Sequence, residues 1–95
     1  MIKHIVFFKL KDRAPDKVQE TVAVLRNMEG KIPQLISIEV GADIIRSERS
    51  FDIALVTVVA SLDDLQAYQV HPEHKKVIAH INEVKEVSFA VDYEI

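Results

Sequence analysis

The run Phe51-Asp52-Ile53-Ala54-Leu55-Val56-Thr57-Val58-Val59-Ala60 reads as the clearest strand in the chain. At period two, Phe51, Ile53, Leu55 and Val59 share one face, and Ala54, Val56 and Val58 share the other. The run is far too short to span a bilayer. A strand that is apolar on both faces has to be covered on both, and the flanking sequence shows what can cover it.

Downstream, Ser61 followed by Asp64 reads as a capping-box-like helix start, with Asp63 adding negative charge to the first turn. Leu62, Leu65 and Tyr68 or Gln69 form the stripe of this helix. His71 precedes Pro72, which ends or kinks a helix there. Pro72 then opens a second helical segment, in which His74, Val77, Ile78 and Ile81 fall at i, i+3, i+4 and i+7. The last strand runs from Val87 to Tyr93. Val87, Phe89, Val91 and Tyr93 face one way, and Ser88, Ala90 and Asp92 the other.

Upstream, residues 43–50 form a charged connection, and Leu35 to Val40 reads as a strand ending near Gly41, with Ile36, Ile38 and Val40 on one face. Lys31-Ile32-Pro33 is a turn and Gly30 a helix stop. The helix before it starts at Pro15, with Asp16 and Glu20 near its positive end, and carries Val18, Val22, Leu25 and Met28 on one face. Ile2 to Leu10 is a strand with Ile2, His4, Val6, Phe8 and Leu10 on one face and Ile5 and Phe7 on the other. Both faces are largely apolar, so a central position covered on both sides is expected.

The order is β-α-β-β-α-β, with extra helix after the second α. This pattern predicts an α+β fold whose antiparallel sheet carries helices on one face. The other sheet face is apolar on most strands, and a second copy of the same sheet is the cheapest cover for it. A homodimer is expected on that ground.

With 95 residues there is room for one domain, 1–95, and 48% hydrophobic residues are enough for a core. The net charge is −3. Lys3, Lys9, Lys11 and Arg13 cluster near the N-terminus, but they read as solvated strand-end charges, and no nucleic-acid partner is expected. There are no cysteines, which excludes disulfides, thiolate metal sites and cysteine nucleophiles. No signal-peptide pattern opens the chain, so the expected location is cytoplasmic, with no membrane partner.

The residues that could carry chemistry are Tyr68, His71, His74 and His4. A neutral imidazole suits proton transfer near neutral pH, and a tyrosine hydroxyl can donate to a carbonyl oxygen as it gains enolate charge. Beside an apolar pocket, this set suits enolisation, aldol-type cyclisation or isomerisation. Each residue also has a plain structural reading. His4 can be a buried strand histidine bonded to a backbone carbonyl, His71 a helix terminator, His74 a satisfied core histidine and Tyr68 amphipathic packing. His71, Glu73 and His74 lack a further ligand, so no metal site is expected. His80 is expected at the surface. No Gly-rich phosphate loop and no nucleophile elbow occurs.

Lys3-His4-Ile5-Val6-Phe7-Phe8-Lys9-Leu10-Lys11, Phe51-Asp52-Ile53-Ala54-Leu55-Val56, Leu65 through His74 with its Tyr-x-x-His-Pro-x-His element, and Val91-Asp92-Tyr93-Glu94 together resemble the stress-responsive A/B barrel domain family over nearly the whole chain. The resemblance implies a ferredoxin-like monomer that dimerises sheet to sheet into an α/β barrel. Many members have no established activity and some plant members are associated with stress tolerance. One plant member is a cofactor-independent polyketide cyclase in which a tyrosine and a histidine act together. The matching residues here are Tyr68 and His74, with His4 and His71 also matching histidines of that site. This implies a catalytic pair Tyr68 and His74, with His4 and His71 positioning a small carbonyl-containing ligand and no cofactor. A non-enzymatic stress-associated dimer and a cofactor-independent monooxygenase-like barrel are the alternatives. The helix after His74 reads Lys75-Lys76-Val77-Ile78-Ala79 and departs from the plant cyclase, so a long polyketide tail is not expected to fit.

Overall fold

In the computed structural model, which describes all 95 residues, seven elements follow one another: β1 (Ile2–Leu10), α1 (Pro15–Arg26), β2 (Ser37–Ala42), β3 (Ile53–Val59), α2 (Leu62–Val70), α3 (Pro72–Val84) and β4 (Lys85–Glu94). One sheet has the order β2-β3-β1-β4, with every neighbouring pair antiparallel. This is the α+β, ferredoxin-like arrangement expected from the pattern.

Local chemistry sets the boundaries. Pro15 takes the first turn of α1, where its missing N–H costs nothing, and Asp16 sits at the positive helix end. Gly30 adopts φ 78°, a left-handed turn after α1 that a side chain would strain. Ser61 caps α2 by accepting from the Asp64 N–H at 3.2 Å. Pro72 forces the break between α2 and α3.

One face of the sheet is covered by helix. Val18, Val22 and Leu25 of α1, and Val77 and Ile81 of α3, close over Ile2, Phe8, Leu10, Ile53, Leu55 and Val59. Burying a leucine such as Leu10 or Leu25 contributes about 1.5–3 kcal/mol. The other face has no helix on it. Phe7 is 42% exposed and Phe89 63% exposed, with Val91 and Tyr93 also open. β1 is therefore central, with helix on one side and the open, apolar face on the other, the side for which a second copy of the sheet was the expected cover. No helix is long and apolar enough to cross a membrane.

Phe51 departs from its expected place. Strand β3 begins only at Ile53, so Phe51 escapes the alternation. Its ring packs on the open face, 6.1 Å from Phe7 and 5.6 Å from Phe89 between ring centroids. β2 is likewise displaced by two residues from the expected span, leaving Ile36 outside it and exposed.

Asp52 explains why β3 starts late. Its buried carboxylate accepts from the Leu10 N–H and from Arg13 Nε, both at 2.8 Å, while its own N–H donates to the Phe8 carbonyl. Arg13 also donates through Nη2 to the Ser47 and Ser50 carbonyls at 3.2 Å. This clamp ties the 43–50 connection to the end of β1. Arg13 is thus held by a carboxylate rather than free in solvent, and Lys9 Nζ donates to the Glu48 carbonyl at 2.8 Å. His80 also differs from expectation: it is half-buried, with Nε2 enclosed and unpartnered.

Candidate functional site

A cavity of about 370 Å³ lies between the helix-covered sheet face and the helices. Val6, Phe8 and Leu55 form its floor, and Leu25, Met28, Val77, Ile78 and Ile81 its apolar walls. His4, Tyr68, Gln69 and His74 supply polar groups. A mostly apolar hollow with a few convergent polar groups is the usual form of a small-molecule site. A larger hollow of about 420 Å³ lies on the open sheet face around Phe7, Phe51 and Ala54, but it holds no histidine or tyrosine.

The helix break positions His74. Because α2 stops at Val70, the Gln69 carbonyl is one of the last in its helix and has no partner further along. His74, in the first turn of α3, donates Nδ1–H to that carbonyl at 2.9 Å. This bond places the ring hydrogen on Nδ1 and leaves the Nε2 lone pair free. The His74 pKa is lowered from its usual 6.5, chiefly by burial. The Gln69 bond opposes this, and the charge of His4 adds to it. His74 is therefore a neutral base at neutral pH.

Tyr68 lies on α2, fully buried, with its ring 4.5 Å from that of His74 and 6.2 Å from that of His4. Its hydroxyl has no hydrogen-bond partner. The hydroxyl does not bond to His74; the two side chains meet through their rings. A buried orphan hydroxyl costs about 1–3 kcal/mol. Burial pushes the Tyr68 pKa to about 12, so the group stays protonated and can only donate or accept as a neutral phenol.

His4, buried in the middle of β1, is bonded through Nδ1 to the Asp92 carboxylate on β4, its direct neighbour in the strand register. Facing a carboxylate, Nδ1 carries the hydrogen, and the His4 side chain also borders the cavity. The expected backbone partner is thus replaced by an acid. Asp92 escaped the sequence reading as a site residue. Its face of β4 was legible, but the β1–β4 register that sets it opposite His4 was not.

His71 is placed differently from the other three. It closes α2 and caps α3, its Nδ1 accepting from the Glu73 N–H at 3.1 Å. It does not line the cavity. The structure thus brings Tyr68, His74 and His4 together and leaves His71 one step behind, holding the helix start from which His74 projects.

Residues 2–95 match the model of the stress responsive A/B barrel domain. Among curated proteins, the chain is 28% identical over 98 residues to the stress-response A/B barrel domain-containing protein DABB1 of Arabidopsis thaliana, covering 98% of this chain and 46% of that protein. It is 33% identical over 82 residues to an uncharacterized protein of Streptomyces coelicolor, covering 83% of this chain and 84% of that one. The chain therefore spans about half the length of the Arabidopsis relative. Among solved structures, a dimeric ferredoxin-like protein of unknown function from Bacteroides fragilis matches with a TM-score of 0.83 at 33% identity, over 99% of this chain and 95% of that one. Another from Thermobifida fusca matches with a TM-score of 0.87 at 30% identity, over 99% and 90%. A hydroxynitrile lyase from Passiflora edulis shares the fold at a TM-score of 0.82 and 18% identity, over 99% of this chain and 92% of that one. The family model, the relatives and the shared fold agree over essentially the whole chain: it belongs to the stress responsive A/B barrel domain family.

Proposed function

We propose that the cavity binds a small carbonyl compound and moves a proton next to its carbonyl group without a cofactor. The observation that carries this reading is the buried, unpartnered Tyr68 hydroxyl, on a ring that packs against two imidazoles whose Nδ1 atoms are already committed. A purely structural dimer has no use for that orphan donor. A carbonyl oxygen entering the cavity would satisfy it.

In this mechanism His74 Nε2 takes a proton from the carbon beside the carbonyl, and the electron pair moves onto the oxygen as an enolate. Tyr68 O–H donates to that oxygen as its charge grows. The imidazolium of His74 then returns the proton to a different carbon or to the enolate oxygen in an isomerisation, or to the leaving group expelled in a lyase step. In an aldol-type closure the enolate carbon bonds to a second carbonyl carbon of the ligand and the proton goes to the alkoxide formed there. His4, oriented by Asp92, positions the ligand, and His71 acts in support through the α3 cap.

Tyr68→Phe tests the role of the hydroxyl. The variant is expected to be more stable than wild type by about 1 kcal/mol, since it removes an unsatisfied buried group. It is also expected to lose about a hundredfold to a thousandfold in the rate of deuterium incorporation at the methyl group of an aryl methyl ketone in heavy water. Lower stability with unchanged exchange would overturn the reading.

The same proposal includes a second copy of the chain as partner, laid against the open sheet face. That face carries Phe7, Phe51, Phe89, Val91 and Tyr93, and the Bacteroides and Thermobifida relatives are described as dimeric. Sedimentation is expected to give a dimer for the wild type and a folded monomer for Phe89→Asp, because a buried carboxylate in an apolar interface has no partner. A wild-type monomer at micromolar concentration would contradict it.

A further inference from the structure

The cavity has a second polar end, remote from the tyrosine and the histidines. In the β1–β4 register Asp92 stands opposite His4, Ser88 opposite Phe8 and Lys85 opposite Leu10. Residues directly opposite one another in an antiparallel pair point to the same face. From His4 to Phe8 is four residues, about 13 Å along the strand at 3.3–3.4 Å per residue. Lys85 and Ser88 therefore border the same cavity roughly one strand length from the proton-transfer end, with Val6, Phe8 and Leu55 between them.

A bulge aims the lysine. The register shifts between Lys9, which pairs with Val87, and Leu10, which pairs with Lys85. An unshifted ladder would set Glu86 opposite Leu10 and turn a carboxylate toward the helices. The extra residue sets Lys85 there instead, in the way bulges re-aim side chains beside binding sites. Lys85 is half-buried, belongs to none of the ion pairs of the structure and makes no side-chain hydrogen bond. Ser88 is half-buried too, and its hydroxyl is likewise uncommitted. An unpaired ammonium and a free hydroxyl at one end of a mostly apolar hollow form a receptor for an anion.

From this we infer that the ligand is an amphipathic carbonyl acid: a carbonyl held at Tyr68, an apolar middle against Val6, Phe8 and Leu55, and a carboxylate or similar anionic end held by Lys85 and Ser88. The inference rests on the carbonyl site proposed above and names the substrate class for it.

Calorimetry with p-acetylphenylpropionate and its methyl ester tests it, since the ester replaces the negative charge by a neutral methyl ester and keeps the rest of the molecule. The wild type is expected to bind the acid about tenfold more tightly than the ester, the usual effect of one charged hydrogen bond. Lys85→Ala is expected to bring the acid down to the level of the ester while leaving ester binding unchanged. Lys85→Glu is expected to push the acid below the ester. Equal binding of acid and ester by the wild type, or the same preference in Lys85→Ala, would overturn the anionic end alone. The ester reports on the carbonyl end by itself: if it fails to bind, or binds Tyr68→Phe and His74→Ala as well as the wild type, the carbonyl site falls and this inference with it.

Discussion

Replacing His74 by alanine is expected to slow deuterium incorporation into an aryl methyl ketone by about a hundredfold to ten-thousandfold, the range for loss of a positioned base. Fold and dimer should survive, because the side chain is half-exposed and its one hydrogen bond runs to the Gln69 carbonyl, which water can take over. The pH dependence has a defined sign. His74 has its pKa lowered below 6.5, first by burial, so the base stays neutral to lower pH than an ordinary histidine does. The acid limb of the exchange rate should therefore lie below pH 6.5. Stability follows the same group. Between the lowered folded value and the unfolded value of 6.5 the unfolded chain binds more protons, so stability is full above 6.5 and falls as the pH drops through that window. His74→Gln should flatten that part of the stability curve. A limb at or above 6.5 in wild type, or an unaltered exchange rate in His74→Ala, would remove His74 from the mechanism.

Asp52→Ala is expected to be the most destabilising single change, by about 3–5 kcal/mol in urea unfolding. It strips the partner from the Leu10 N–H and leaves the Arg13 guanidinium without its carboxylate. For a domain whose total stability is about 5–15 kcal/mol, that is a large share. The paired change Asp52→Leu with Arg13→Met should recover the part of the loss due to the unpaired guanidinium, while the Leu10 N–H stays without its acceptor. A cost under about 1 kcal/mol for Asp52→Ala would show that the clamp contributes little.

Most of the fold was legible in the sequence because its signals are local. Pro15 and Pro72 start helices through their own geometry, Ser61 caps one with its own hydroxyl, and the β-branched and aromatic run from Ile2 to Leu10 gives the span of β1 to the residue. The misplacements come from longer range. Phe51 continues the alternation of β3, yet Asp52 is drawn to Leu10 and Arg13, so the strand begins two residues later, at Ile53, and the ring packs on the open face. The site divides in the same way. Tyr68 and His74 are linked by helix spacing and a proline break, both visible in one short stretch. His4 comes in from a distant strand, and the family resemblance placed it with them. Asp92 and Lys85 depend on a strand register and a bulge between Lys9 and Leu10, which no local pattern encodes. His71 carries the same motif as His74, but Pro72 turns its ring to the Glu73 N–H, where it serves the helix rather than the cavity.

The most direct test of the central claim is the carbonyl-carbon NMR shift of a carbonyl-labelled aryl methyl ketone bound to the protein. If Tyr68 donates to the ligand oxygen, the resonance moves downfield on binding to the wild type, and that movement is absent when the same ketone is bound by Tyr68→Phe. A bound ketone whose carbonyl resonance is the same in both proteins would contradict the account.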